Sequence, residues 1–507
     1  MNSKTWTRII AMTLFAALAL PLQLAAQAPA RPQHQYHHYQ LVDAGTFGGP
    51  WAGLQTPGLP RAGVLNNRGT LVGWANTPAA DPYCGFPPAC YAGDAFQLQD
   101  GVTTDLGRLP GGISSQVNWI SASGLMTGVG DNGQPDPLSG GTLPQLHGLF
   151  WKNGRLTDMG TLPEGGYIAF PTAVNNRGEV VGNAQNTIPD PTPIFGGDGT
   201  QTRAFYWKDG VMQDLGTLGT GTDAAAALIN EHGQVVGWSF NSSNPNLDNL
   251  CYGFALTTGS FIWDTKNGMR DLGGLGGTSC TLPYDLNSRG QVVGGSDVPG
   301  EFQHPFVWEA ATGMSDLGTP DGGYGVAQAT NEHGDVVGLG EANGGPLDAI
   351  LWRKKGGKWR MTDLGTLAGC AAATSVNASV QVVGSDGCAG PTGLAFFSED
   401  GGPMVDLNTL VPSNSSIQLV EADQINDRGE IAVWGADASG NGHALLLIPC
   451  DENHPSVEGC DYSLVDAATT AAQSAARAYV PSRTQRTFQW RGTNRYRIHG
   501  LGTSRPN

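Results

Sequence analysis

Positive charge is the first thing missing. Lys and Arg number 27 against 44 Asp and Glu, for a net charge of −17, and the few basic residues are gathered at the two ends. Lys4 and Arg8 lie at the start, and from Tyr462 onward there are seven arginines with Asp466 as the one acid. The body between carries roughly −25, which excludes nucleic acid as a partner. Metal and redox signatures are also missing: the eight cysteines form no C-x-x-C pair, so neither a zinc ribbon nor a thioredoxin-type site is expected. There is no G-x-S-x-G elbow, H-E-x-x-H, P-loop or EF-hand ladder. No cofactor and no metal site is expected. His34, His37 and His38 read as an exposed start rather than a metal site, and His232 and His333 as residues of repeated turns. Carboxylates are numerous enough that a hydrolytic pair stays open, because such pairing is spatial.

Long apolar runs are missing as well, with one exception. Ile9 to Leu22 follows the positive start and is too short to span a bilayer, so residues 1–28 read as a secretory signal with cleavage between 26 and 30. No transmembrane segment is expected once it is removed. An even cysteine count beyond that segment suits an oxidising compartment, secreted, periplasmic or at the cell surface. The close pairs Cys84–Cys90 and Cys450–Cys460 are expected as disulfides. Cys251–Cys280 and Cys370–Cys388 are geometrically allowed, since each would join loops on one face.

What the chain has in abundance is repetition. An Asp-x-Gly element recurs at Asp43, Asp105, Asp158, Asp214, Asp271, Asp316 and Asp363, then as Asp-Leu-Asn at Asp406. An Asn-x-x-Gly turn recurs at Asn66, Asn175, Asn230, Asn287, Asn331 and Asn426, with Ser121 replacing the asparagine once and Val380 replacing the glycine once. Each unit offers four β signals. Strand A ends at the asparagine, B closes on Val-Val-Gly, C carries Ala-Phe-x-Trp and D carries Asp-Leu-Gly. Asparagine bonding its own backbone and glycine supplying positive φ make the A–B connection a tight hairpin. Phe205 and Trp207 share one side of strand C and can pack on a neighbouring sheet.

The ends complete the count. The repeats open with a spare D strand, Tyr39 to Asp43, and close with a C strand, His443 to Leu447. Joining them yields an all-β, eight-bladed propeller of four-stranded antiparallel blades over residues 39–448, closed by the N-terminal strand. Residues 449–507 form an Arg-rich tail, disordered or loosely docked. A parallel β-helix is the rival architecture and leaves the matched ends unexplained.

The wording AFYW at Ala204 to Trp207, VMQDLGTLG at Val211 to Gly219 and INEHGQVVG at Ile229 to Gly237 resembles the extracellular HAF-repeat family over roughly Tyr39 to Leu447. The resemblance implies an extracellular bacterial protein and brings no established activity with it.

The B–C connections differ between halves. They run about 20–24 residues in blades one to four (Gly73 to Ala95, Gly128 to Gly148, Gly182 to Ala204, Gly237 to Phe261) and about ten or eleven in blades five to seven. The long ones carry Tyr83, Phe86, Tyr91, Phe195, Tyr252 and Phe254, the candidate ligand-binding residues on one half-face. The expected function is a secreted, monomeric, non-catalytic scaffold for a glycan, peptide or surface partner. The alternative is an extracellular polysaccharide-degrading hydrolase or lyase. Carboxylates converging at the channel mouth would favour the enzyme, and an aromatic platform on the long loops would favour binding.

Overall fold

Every Asn-x-x-Gly copy closes the same hairpin. At Asn230 the backbone N–H bonds the carbonyl of Gln234, and the N–H of Gly233 bonds back to the Asn230 carbonyl, both at 3.0 Å. Such a three-residue turn needs positive φ at its last position. Gly233 supplies φ +77, and Val380 is forced to φ +60 in the copy that lacks the glycine. The computed structural model describes residues 34–54, 63–83, 91–193, 195–196, 199–245, 256–277, 280–299, 302–342, 345–387, 393–467 and 497–498.

Each hairpin begins a four-stranded antiparallel sheet, and eight such sheets form the propeller. Blade 3 is representative, with strands A to D at Ala169–Val174, Val180–Pro189, Thr200–Lys208 and Val211–Asp214. In the last blade, Ile417–Ile425, Ile431–Asp437 and Gly442–Pro449 provide A, B and C, and Tyr39–Asp43 provides D. Tyr39 faces Pro449 and Asp43 faces Leu445, so the chain's first long strand closes its last blade as the matched ends predict. Just outside this closure, Gln35–His37 pairs with Leu464–Asp466. The disulfide Cys450–Cys460 holds the intervening loop, with the Cα atoms 5.5 Å apart.

Packing between blades follows from strand C. Phe205 and Trp207 are both buried. The Trp207 ring lies 5.2 Å from Phe150 in blade 2, and Tyr206, on the opposite side of the strand, lies 5.2 Å from Trp263 in blade 4. Burying each ring contributes roughly 1.5–3 kcal/mol. The Val-Val-Gly glycine makes room for this layer: a Cβ on Gly237 would fall 2.1 Å from the Ala225 carbonyl and 2.6 Å from the Phe261 ring.

The turn asparagines also tie blade to blade. Asn377 accepts the N–H groups of Ser379 and Gln381, while its Nδ2 donates to Gln381 Oε1 and to the carbonyl of Asn426 in the next blade. The same outward donation runs from Asn175 to Asn230, Asn230 to Asn287, Asn287 to Asn331 and Asn331 to Asn377. It runs from Asn426 across the closure to Asn66, and from Asn66 to Ser121 at a longer 3.4 Å. Ser121 has no amide to pass the belt on to blade 3.

Strand A has a further regularity. Its ladder to B slips by one residue three positions before the turn residue, leaving Asn118, Thr172, Ala227, Tyr284, Gln328, Thr374 and Asp423 as bulges in blades two to eight. Bulges re-aim side chains. Asn118, Thr172 and Thr374 use this to donate to carbonyls of the following blade, Pro171, Ala226 and Ala422.

Candidate functional site

The connections B–C and D–A meet on one face of the ring, and the eight D-strand aspartates all end there. Each aspartate caps its own exit. Asp43, Asp105, Asp158, Asp214, Asp271, Asp316 and Asp363 accept the N–H of the glycine two residues on, and Asp406 accepts that of Asn408. A structural role for Asp-x-Gly is therefore visible in every copy.

The same face carries four tall arms. Strand B reaches Ala80, Pro135, Pro189 and Pro245 in blades one to four, and stops at Val298, Glu341 and Asp386 in blades five to seven. The arms are built alike. Between Asp131 and Pro135 three residues oppose the one between Leu146 and Pro144, and the same count separates Asn76 from Ala80 and Gln185 from Pro189. Phe240 to Pro245 differs by one residue more. Three tips turn on an aspartate followed by proline: Asp81 accepts the N–H of Tyr83, Asp136 that of Leu138 and Asp190 that of Thr192. The recurring Asp-Pro dipeptide is the sequence signal for these tips, and the reading from loop length alone passed over it.

Of the aromatic candidates on these arms, Tyr83 is half-buried and Tyr91 is 37% exposed. The backbone of Phe195 belongs to a short strand, Phe195–Gly196, paired with Arg497–Ile498. Phe86, Tyr252 and Phe254 lie outside the described residues, as do Cys84, Cys90, Cys251 and Cys388. Cys280 and Cys370 are each disulfide-bonded.

The chemistry of the face lies where strand C meets strand D. The residue before the Ala-Phe element stands beside the D-strand aspartate, and four of the eight blades place a basic group there. His147 lies 2.9 Å from Asp158, Arg203 2.9 Å from Asp214, His304 2.9 Å from Asp316 and His443 2.8 Å from Asp43. Burial works against the charge on Asp158, but hydrogen bonds from His147 and the Gly160 N–H outweigh it and hold the carboxyl below its ordinary range.

Two blades place an acid at that position. Asp94, 3% exposed, is pushed up to about 6, chiefly by burial and against the pull of Arg108, whose Nη2 is 3.3 Å from Asp94 Oδ2. Asp348, 6% exposed, has no such cation. Burial raises its carboxyl, and Asp363 raises it further by charge and by a direct hydrogen bond, with Asp386 and Asp321 adding to the effect. Asp386 is fixed beside them by Thr366 Oγ1 and the N–H groups of Leu367 and Ala368. Asp363 is exposed, so the pair opens to solvent on the half-face without tall arms. Sequence reading missed this pair because it depends on the C–D register, in which Ile350 faces Asp363.

The opposite end of the channel holds a cavity of about 280 Å³ lined by the A–B ends of all eight blades, floored by residues such as Leu65, Ile229 and Ile425. Its rim carboxylates are engaged: Glu231 accepts the Asn176 N–H and Glu332 that of Ser288. Among the described residues no group of three or more His, Cys, Asp or Glu could hold a metal ion, and no helix is long and apolar enough to cross a membrane.

No known family profile matches the chain, and no curated protein matches it. Solved structures do. A puromycin-hydrolyzing peptidase of Mycobacterium tuberculosis is 16% identical, with 76% of this chain aligned to 58% of that one at a TM-score of 0.42. An acylaminoacyl peptidase of Pyrococcus horikoshii is 11% identical, with 78% aligned to 59% at 0.40. The β-propeller domain of the Trilobed protease from Pyrococcus furiosus is 10% identical, with 70% aligned to 98% at 0.40. The chain thus spans just under three fifths of the two peptidases and nearly all of the isolated propeller. At this identity the likeness concerns the fold. The non-catalytic binding scaffold expected from the sequence is corrected and withdrawn: the neighbours named here are two peptidases and the propeller domain of a protease.

Proposed function

We propose that this chain is an extracellular hydrolase of a polymeric substrate, with Asp348 and Asp363 as its acid–base pair. The observation that carries this reading is the like-charge contact itself. Where four other blades set a histidine or arginine against the D-strand aspartate, blade 6 sets a buried carboxyl against an exposed one, and that contact adds to burial in raising the buried group. Two carboxyls that share one proton can act as acid and base together. A water molecule attacks the scissile carbon, and its proton passes to the ionised carboxylate. The shared proton goes to the departing oxygen or nitrogen as the bond to carbon breaks. Water has then been added across the bond, and the pair again holds one proton.

The tall arms of blades one to four support a polymer rather than a small substrate, since they raise a wall beside the open half that carries the pair. Secretion through a leader at residues 1–28, and the HAF-repeat resemblance, belong to the same reading. The test incubates the purified protein with soluble polysaccharides and with denatured protein, and follows new reducing ends and new amines. Asp348→Asn and Asp363→Asn should each lower the active assay by at least about a hundredfold with an unchanged melting temperature. Activity that survives both substitutions places the chemistry elsewhere, and inactivity of the parent on both polymer classes removes the proposal.

A further inference from the structure

The two faces of the ring differ in charge. Strand D carries an aspartate at its end, or two residues before it, in every blade on the arm-bearing face, while among the described residues Arg108 and Arg203 are the lysines and arginines that stand there. Arg270, next to Asp271, reaches back to Asp264, the last residue of the neighbouring strand, at the C–D turn. The turn arginines Arg68, Arg177, Arg289 and Arg428 all belong to the opposite face. The most basic part of the chain is its end, with seven arginines after Tyr462. One point of that end is placed: Arg497 and Ile498 pair antiparallel with Gly196 and Phe195, inside the arm of blade 3.

We propose that the acidic, arm-bearing face is occupied by the chain's own Arg-rich terminus, residues 468–507, anchored by strand addition to the blade 3 arm. Three observations agree on this occupant. Charge is complementary, and guanidinium groups suit carboxylates laid out around a ring. Reach is ample: roughly thirty residues separate Ala467 from Arg497, about 100 Å when extended, against a radius of gyration near 22 Å for a body of this size. The anchor is backbone pairing on an arm edge, which fixes position while the arginines supply attraction. Because the segment is tethered, its effective concentration exceeds that of any free cationic partner. The occupant shares this face with Asp348 and Asp363, and its test by exchange reads out separately from hydrolysis there.

The test uses the full chain and amide hydrogen exchange. In the parent at low salt, the amides of 195–196 and 497–498 should exchange at least about tenfold more slowly than an unpaired chain. Replacing Arg483, Arg486, Arg491 and Arg495 with glutamine should abolish that protection, and so should about 1 M salt, which shortens the screening length to about 3 Å. Exchange in strand Val336–Glu341, remote from the anchor, should not move. Unprotected amides in the parent, or protection indifferent to both treatments, overturns the proposal. Sedimentation supplies a second arm: a dimer that separates in the arginine variant would make the occupant a second copy and equally overturn it.

Discussion

The imidazole Nδ1 of His443 lies 2.8 Å from the carboxylate of Asp43, a residue 400 positions earlier. Within blades 2 and 5 the same contact joins His147 to Asp158 and His304 to Asp316, neighbours eleven and twelve residues apart. One local pairing has thus been reused across the closure of the ring. His443→Ala should lower stability by about 1 kcal/mol. It should also increase exchange in Tyr39–Asp43, whereas His147→Ala should cost a similar amount without loosening that strand. Equal exchange in Tyr39–Asp43 for the two variants would show that the pair does not hold the closure.

The asparagine belt predicts opposite effects at two turns. Asn377→Ala removes two acceptor and two donor contacts from a buried site and should cost about 2–3 kcal/mol in chemical denaturation. Ser121→Asn supplies the missing amide between blades 2 and 3 and should raise stability by about 0.5–1.5 kcal/mol. A gain of similar size from Ser121→Ala would show that the amide is not its source.

Asp94 predicts a pH dependence. Its folded carboxyl is raised by burial to about 6 from an ordinary value of 3.8, so the folded state binds the extra proton. The corresponding stability is complete below about pH 4 and is lost as pH rises through 6. Asp94→Asn should therefore leave melting unchanged near pH 4 and raise it near pH 7.5, since burial outweighs the Arg108 contact. A variant less stable than the parent at pH 7.5 would show that the Arg108 pair outweighs the burial.

The Cys450–Cys460 loop predicts a fourth effect. His454 is buried in that loop with Nδ1 2.7 Å from Asp451 and Nε2 3.5 Å from Glu430 of the last turn. Reducing the disulfide frees a short loop and should cost about 2–3 kcal/mol. The seam where Cys450 N–H bonds the His38 carbonyl should then be the first region to gain exchange.

Much of this architecture was legible from spacing. Asp-x-Gly and Asn-x-x-Gly mark the blade edges because each bonds its own neighbourhood, and eight D elements with matched ends leave one way to close. Longer-range relationships were not legible. Asn377 announces a turn, but nothing in its spacing shows its amide reaching Asn426. Asp348 looks like any surface acid until the C and D strands are set in register beside Asp363. The long B–C connections were visible as lengths, whereas their shared three-against-one slip becomes apparent only once Asp131, Pro135, Leu146 and Pro144 are paired.

The closure has a consequence for how the protein is made. Tyr39–Asp43 emerges among the first residues of the ring, and its partner Gly442–Pro449 among the last. Throughout synthesis the first strand must wait with its hydrogen-bonding edge open. Seven blades can form in order behind it, but none supplies the neighbour it needs. Two chains halted at that stage present each other with the strand that each lacks, so crowding of unfinished copies favours exchanged pairs. Slowing release of residues 442–507 should raise the yield of such pairs, and fast completion should favour single rings.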